Sequence, residues 1–455
     1  MTNHTNLKSR AMWWYCSAIL VFWVVYPEIR RLLDWRAGFH ASQILDIVPL
    51  LGMAIFALAL TFRGPIVVSP RIVLLSWIWI GSFVYAGVIG LLLGHGSSSL
   101  YDFLQFVAPV VIALWLASGT HALAHAFERL STLILWIAVA VSIYGIFQFA
   151  ALPPWDAAWV RDVATIRHMV TNGGSQPFEV RVFSVLNSAG PCASFLAVAI
   201  ALNLYRLKDK QVVALVGMAL CVVTLMLTLE RSAWISLAVA IAVYLLFSPN
   251  AWRTASVGLA CGISVAAFFW LTSPWVASHA GQNSIAERFG TFSHLDRDSS
   301  LNARVASTTD LLSDGITYPM GEGLGIIGAA AQLTSFTESI NAIDGGLQAR
   351  FAEMGFAGFI GYIATLLLAL TFVLARWRQA RRSGNHTECA AFAALLAVQI
   401  MLIVLDFSID SHTGLLGVLF WLTVGISLSR QNAPAKEIAG EATFIRHVPT
   451  LASVG

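Results

Sequence analysis

Hydrophobic residues recur along the whole chain in runs of about 18 or more, long enough to cross the apolar core of a bilayer as helices. Their bounds are near 11–27, 43–62, 72–93, 100–118, 130–151, 184–205, 211–229, 232–248, 253–273, 350–375, 388–405 and 411–429. Backbone polar groups find no water inside lipid, so such runs must be helical. The pattern predicts an all-α, polytopic transmembrane helix bundle of about twelve spans. Polar residues interrupt it in two long segments, near 152–182 and 274–348. The second mixes Glu287, Arg288, Asp296, Arg297, Asp298, Arg304 and Asp310 with glycine and proline. A loop of that length is rare unless it has a task, so it is expected to contain helices and to cap a site. The chain thus divides into 1–273 with nine spans, 274–348 as a large outer loop, 349–429 with three spans, and 430–455 as a tail.

Short basic loops orient the bundle. Arg206, Lys208 and Lys210 follow one span, and Arg376, Arg378, Arg381 and Arg382 follow another. Placing both loops in the cytoplasm puts both termini there too, with Arg430 and Lys436 in the tail, and turns the two long segments outward. Arg30, Arg31 and Arg36 disagree, because the same alternation leaves them outside. Either that stretch is an interfacial helix or the first span is misplaced. Lys8 and Arg10 precede the first run as in a signal peptide, but no small-residue cleavage site follows, so the run reads as a retained span. No internal repeat is visible, which disfavours inverted-repeat transporter folds.

Composition agrees with the pattern. Of 455 residues, 58% are hydrophobic and 11% charged, against about 25% charged in a soluble domain. A formal net charge of +3 argues against a general nucleic-acid binder. Cys16, Cys192, Cys221, Cys261 and Cys389 lie scattered in apolar runs with no CxxC pair, and read as small buried hydrophobes.

Charges beside membrane spans are costly, and four stand out as candidates for chemistry. Arg181 opens the sixth span in Arg181-Val182-Phe183-Ser184, and Arg231 sits in a break between two spans, Thr228-Leu229-Glu230-Arg231-Ser232-Ala233-Trp234. Arg304 lies in the large loop, and Asp344 in Asp344-Gly345-Gly346 just before the tenth span. All four fall on the predicted outer side. Three arginines there suit a dianionic group, since the planar guanidinium matches phosphate oxygens; alternatively each snorkels or pairs locally, as Arg231 could with Glu230. Asp344 reads equally as a base whose proton affinity burial raises or as an N-cap of the following helix. Gly323-Leu324-Gly325-Ile326-Ile327-Gly328 matches GxGxxG but lacks a βαβ unit, so no dinucleotide is expected. His121 and His125 stand one turn apart without a following Glu, so no metal or other cofactor is expected.

Taken together, these segments resemble the O-antigen ligase and polysaccharide polymerase superfamily of bacterial inner membranes. The resemblance spans about residues 175–360. Arg181-Val182-Phe183-Ser184 with Asn187 is similar to the family's Arg-x-Phe element, and Thr228 to Trp234 to its Thr-x-x-Arg-Ser-x-Trp break. Asn302-Ala303-Arg304 followed by Pro319-Met320-Gly321-Glu322-Gly323-Leu324-Gly325 resembles its Arg then Pro-x-Gly-x-Gly-x-Gly. Asp344 through Gly355 and Gly358 resembles the last element, which ligases head with His and then Asn, Ser or Gln. Here those positions are Asp344 and Gly345, which is closer to exopolysaccharide polymerases, and Glu230 stands where ligases commonly have Ser.

The resemblance implies a multi-helix glycosyltransferase of the GT-C type that works without a metal. It would move a glycan from undecaprenyl pyrophosphate to an acceptor hydroxyl at the periplasmic face, with inversion. Arg231 and Arg304 would bind the pyrophosphate with Arg181 as a third contact, and Asp344 would take the hydroxyl's proton. Its partners would be lipid-linked glycans and membrane lipid, with a separate chain-length regulator left open. A ligase acting on lipid A-core or protein is the alternative within the family; a lipid-linked glycan flippase is the alternative outside it, disfavoured because the charges cluster on one side.

Overall fold

The structure is a computed structural model that describes residues 2–39, 44–62, 68–118, 123–166, 172–209, 212–249, isolated positions between 251 and 262, 319–331 and 345–429. Within these the chain is helical, and its one extended pairing is an isolated antiparallel bridge between Gly173 and Val180. The helices are α1 (Thr2–Ala37), α2 (Val48–Thr61), α3 (Pro70–Leu92), α4 (Gly96–Val107), α5 (Val110–Ser118), α6 (Leu123–Ala151) and α7 (Pro154–Ile166). There follow α8 (Ala189–Asn203), α9 (Val212–Leu227), α10 (Arg231–Phe247), α11 (Gly346–Arg382), α12 (His386–Leu405) and α13 (Gly414–Ser427).

Among the described residues, seven helical stretches are long and apolar enough to cross a membrane, and four shorter apolar helices accompany them. Most of their bounds follow the hydrophobic runs, because each run is a stretch whose backbone bonds close within itself, but α1 runs on to Ala37, α6 starts at Leu123 and α11 extends from Gly346 to Arg382. The expected ninth span, 253–273, falls mostly outside the described residues. The expected fourth, 100–118, is two helices: Pro109 lacks an N–H, and α4 gives way to α5 across a turn at residues 108–109. The sixth run begins its helix at Ala189 instead of 184, for a reason given below.

The outward faces carry exposed Leu, Ile, Val, Phe and Trp, as in Trp77, Leu92, Ile143 and Ile360, the composition of a surface that meets lipid. Inward faces pack closely through small residues. Where α11 crosses α3, a Cβ on Gly361 would stand 2.2 Å from Ser82 Oγ, and one on Gly358 3.1 Å from Tyr85 Cδ1.

Connections sort the two ends of the bundle. The Trp377 indole donates to the Phe247 carbonyl (2.9 Å), so α10 and α11 finish side by side. Arg376 donates to the Ser429 carbonyl at the finish of α13 (3.0 Å). The starts of α10, α11 and α13 therefore gather at the opposite end, where α12 finishes and the Leu347 N–H meets the Asp406 carbonyl (2.9 Å). Arg206 and the Arg376–Arg382 run belong to the first end, and the motif segments to the second.

Candidate functional site

Arg181 lies in an extended segment ahead of α8. Its N–H donates to the Asn172 carbonyl (2.9 Å), and that of Val182 to Leu227 (3.1 Å). These bonds lead out of the segment, so residues 181–188 do not join the helix. Ser184 completes the departure with φ 52°, a left-handed conformation costing a non-glycine residue about 1 kcal/mol. It is held by tertiary bonds: its N–H donates to Gln148 Oε1 (2.8 Å), its hydroxyl to the Val141 carbonyl (2.6 Å), and its carbonyl accepts from Arg31 Nη2 (2.6 Å).

The break carrying Arg231 is built in the same way. Helix α9 ends at Leu227, Leu229 turns left-handed (φ 56°), and Glu230 in extended conformation caps the start of α10 at Arg231. A helix end leaves carbonyls without partners. The Arg181 guanidinium supplies them, donating from Nε to Thr228 (3.2 Å) and from Nη2 to Leu229 (3.4 Å). Nη2 also pairs with Glu230 at 2.6 Å, each side chain 17% exposed, and Glu230 in turn accepts from the Ser232 hydroxyl (3.0 Å). Arg181 is thus placed against the turn that bears Arg231. Arg304 and Asp344 lie outside the described residues.

A second layer lies behind Ser184. The Arg31 side chain is fully buried; it donates to the carbonyls of Leu186 (2.9 Å) and Ser184, pairs with Glu28 and with Asp156 (3.3 Å), and lies 4.7 Å over the Phe183 ring. Arg30 pairs with Asp34 (3.5 Å) and Asp46 (2.8 Å) and lies over Trp159. Both charges are thus cancelled inside the folded protein, while Arg36 stays exposed. Around Asp156 the Gln148 amide (2.7 Å) and Tyr144 hydroxyl (2.9 Å) donate to Oδ2. Burial, reinforced by Glu28 and opposed by Arg31, pushes the Asp156 carboxyl up to about 6.

The glycine-rich segment meets α11 at a break within that helix. Gly355 has φ 57° and ψ −165°, which interrupts the helix one turn past Arg350. The interruption strands the carbonyls of Ala352 and Glu353, and the N–H groups of Glu322 (2.9 Å) and Gly323 (3.1 Å) take them up. The Phe356 N–H reaches back to the Pro319 carbonyl (3.1 Å). Side chains would prevent this approach: a Cβ on Gly323 would lie 2.4 Å from Gly90 Cα, and one on Gly325 2.4 Å from the Ser98 carbonyl carbon. The GxGxxG pattern here serves backbone-to-backbone contact.

Beside that break stands a charge network that the sequence reading passed over. Arg350, 2% exposed, lies 2.6 Å from Glu353, 3.2 Å from Asp410 and 3.8 Å from Asp102, and 4.3 Å over the Phe106 ring. Glu353 also accepts the Gly325 N–H (3.0 Å). Next to it Asp406 accepts from the hydroxyls of Tyr362 (2.7 Å) and Ser411 (3.0 Å) and lies 3.3 Å from His412 Nδ1. Burial opposes ionisation of Asp406, but the charge and hydrogen bond of His412, with the bonds from Tyr362 and Ser411, outweigh it and hold the carboxyl below its usual range. Burial raises Asp410, against the pull of Arg350. A signal was available in the i, i+3 pair Arg350 and Glu353 at the head of an apolar run. Asp406 and Asp410 sit in what reads as a plain connection between spans.

No protein-family model matches the chain, and no curated protein matches it.

Proposed function

We propose that this chain is a membrane glycosyltransferase that polymerises undecaprenyl-pyrophosphate-linked repeat units into exopolysaccharide or O-antigen. The observation that carries the reading is the gathering of separate motif segments at one end of an apolar helical bundle. Arg181 sits against the turn bearing Arg231, and the Pro319–Gly325 segment sits against the head of α11, which follows Asp344 by two residues. In this reading the bundle has about twelve spans, is of GT-C type and lies in the bacterial inner membrane, with residues 274–348 as a periplasmic loop over the sugars.

The chemistry follows from the residue types. The acceptor hydroxyl attacks C1 of the donor sugar from the face opposite the pyrophosphate, which inverts the anomeric centre. Charge grows on the departing pyrophosphate, and fixed guanidinium groups stabilise it without reorganisation. Arg231 and Arg304 take that role, and Asp344 accepts the hydroxyl's proton. Arg181 is the third contact, and its bonds to the turn also aim Arg231. Removing Arg231 as Arg231→Ala should cost about 3 kcal/mol of barrier, or about a hundredfold in rate.

The test is a gel of polymer and lipid-linked glycan from a deletion strain complemented with wild type, Arg231→Ala or Asp344→Asn. Single repeat units left on the carrier in the deletion and in both variants would support polymerisation with these residues in the chemistry. Long chains left on the carrier would mean a ligase. Units trapped on the cytoplasmic leaflet would mean a flippase.

A further inference from the structure

Three carboxylates crowd around Arg350: Asp102 from α4, Glu353 from α11, and Asp410 from the turn between α12 and α13. One guanidinium balances one of them. The neighbouring Asp406 is held by partners of its own, Tyr362, Ser411 and His412. Uncompensated charge in a bundle interior is expensive enough that such groups bind a proton instead.

The geometry shows where. The carboxyls of Asp102 and Glu353 converge on the same guanidinium nitrogen, Arg350 Nη1. Ionised carboxylates only accept, so two of them can bond only if one carries a proton. Asp102 Oδ2 and Glu353 Oε2 are fully buried and receive no hydrogen bond from any neighbouring donor, although Arg350 Nη1 stands 3.8 and 2.6 Å away. A proton between the two carboxyls answers both facts. Among the described residues no group of three or more His, Cys, Asp or Glu is disposed to hold a metal ion.

We propose that Asp102 and Glu353 share one proton, that it exchanges with water through Asp410, and that this pair stores the proton released by glycosyl transfer. The last clause rests on the function proposed above. In that reaction the acceptor O–H bond breaks as its oxygen bonds to C1. The bond from C1 to the pyrophosphate oxygen breaks, with its electron pair leaving on the phosphate. One proton per turnover must therefore be taken up and returned to water. Asp410 is the rim of the network, its side chain 29% exposed against 12% for Asp102 and 0% for Glu353. The groups facing the pair are Arg350 from α11 and Asp410 from the turn. Tyr362, Asp406 and His412 stand one step further out, Tyr101 flanks Asp102 on α4, and the glycine-rich segment contributes the Gly325 N–H.

The experiment uses the full chain in lipid nanodiscs and compares wild type with Asp102→Asn and Glu353→Gln. Either amide donates the hydrogen bond that the proton supplies, so the fold is kept while the shared proton is removed. Infrared difference spectra in H2O and D2O read the carbonyl stretch of a buried protonated acid. The rate of polymer formation from lipid-linked repeat units is followed against pH on the same samples. We expect the band in wild type and its loss in each variant. An ionisation should also drop out of the pH–rate profile, with the rate down about a hundredfold, the low end of what a positioned acid–base group contributes. A band that survives in both variants would overturn the shared proton. A lost band with an unchanged pH–rate profile would overturn its link to transfer. Wild type that makes no polymer, yet shows the band and loses it in the variants, would support the proton pair and remove the proposed reaction.

Discussion

Tyr144 shows how single atoms decide protonation in this protein. Its hydroxyl oxygen lies 2.8 Å from Glu28 Oε1 and 2.9 Å from Asp156 Oδ2. One hydroxyl has one proton, which it divides between two carboxyl acceptors, so neither is fully served. Burial pushes the Asp156 carboxyl up to about 6. Its folded value exceeds its ordinary value, so its stabilising contribution is complete at acid pH and fades as pH rises through about 6. Thermal unfolding of the purified protein should show this loss between about pH 4 and pH 6, and Asp156→Asn should flatten it. Arg350 makes the converse case. Arg350→Met leaves three carboxylates without a cation and should cost about 3–5 kcal/mol. Adding Glu353→Met should recover part of that loss, readable as monodisperse protein after extraction. Each network showed in the sequence only as an i, i+3 pair of opposite charges. Arg31 and Glu28, like Arg350 and Glu353, are close neighbours along a helix whose charges cancel, and only tertiary packing shows that they are buried.

Helices were legible wherever a run of apolar residues closes its own backbone bonds. The exceptions are breaks whose conformation is held from elsewhere in the chain. Ser184 and Leu229 are ordinary residues in left-handed geometry, and nothing local announces it, because Gln148, Arg31 and Arg181 supply the bonds that hold them there. The break at Gly355 is better marked, by a glycine in a helical run, and its partner glycines lie some thirty residues upstream. Gly355→Ala would force a Cβ to within 2.4 Å of Gly321 N and of Met320 C at φ 57°, and should abolish correctly folded protein in size-exclusion profiles. Gly384→Ala is the control. It shares a positive φ of 70° but meets nothing within 4 Å, so it should cost only about 1–2 kcal/mol.

At the scale of the whole molecule, the end that bears the motif segments also bears Arg30, Arg31, Glu28, Asp46 and Asp156, and those pairings have a consequence for how the protein is made. The partners of the two arginines come from successive parts of the chain: Glu28 and Asp34 from α1 itself, Asp46 soon after, Asp156 and the Ser184 carbonyl much later. While α1 is leaving the ribosome, Arg31 has no Asp156 to meet, and a hydrophobic segment followed by Arg30, Arg31 and Arg36 is one that an insertion machinery would retain with that flank in the cytoplasm. In the expected orientation, with the opposite flank of α1 in the cytoplasm, its placement therefore depends on sequence translated more than a hundred residues later. Reporter fusions after residue 60 should place α1 backwards in a fraction of molecules, and fusions after residue 190 should place it uniformly. Helix α1 would thus settle only after helices synthesised well after it.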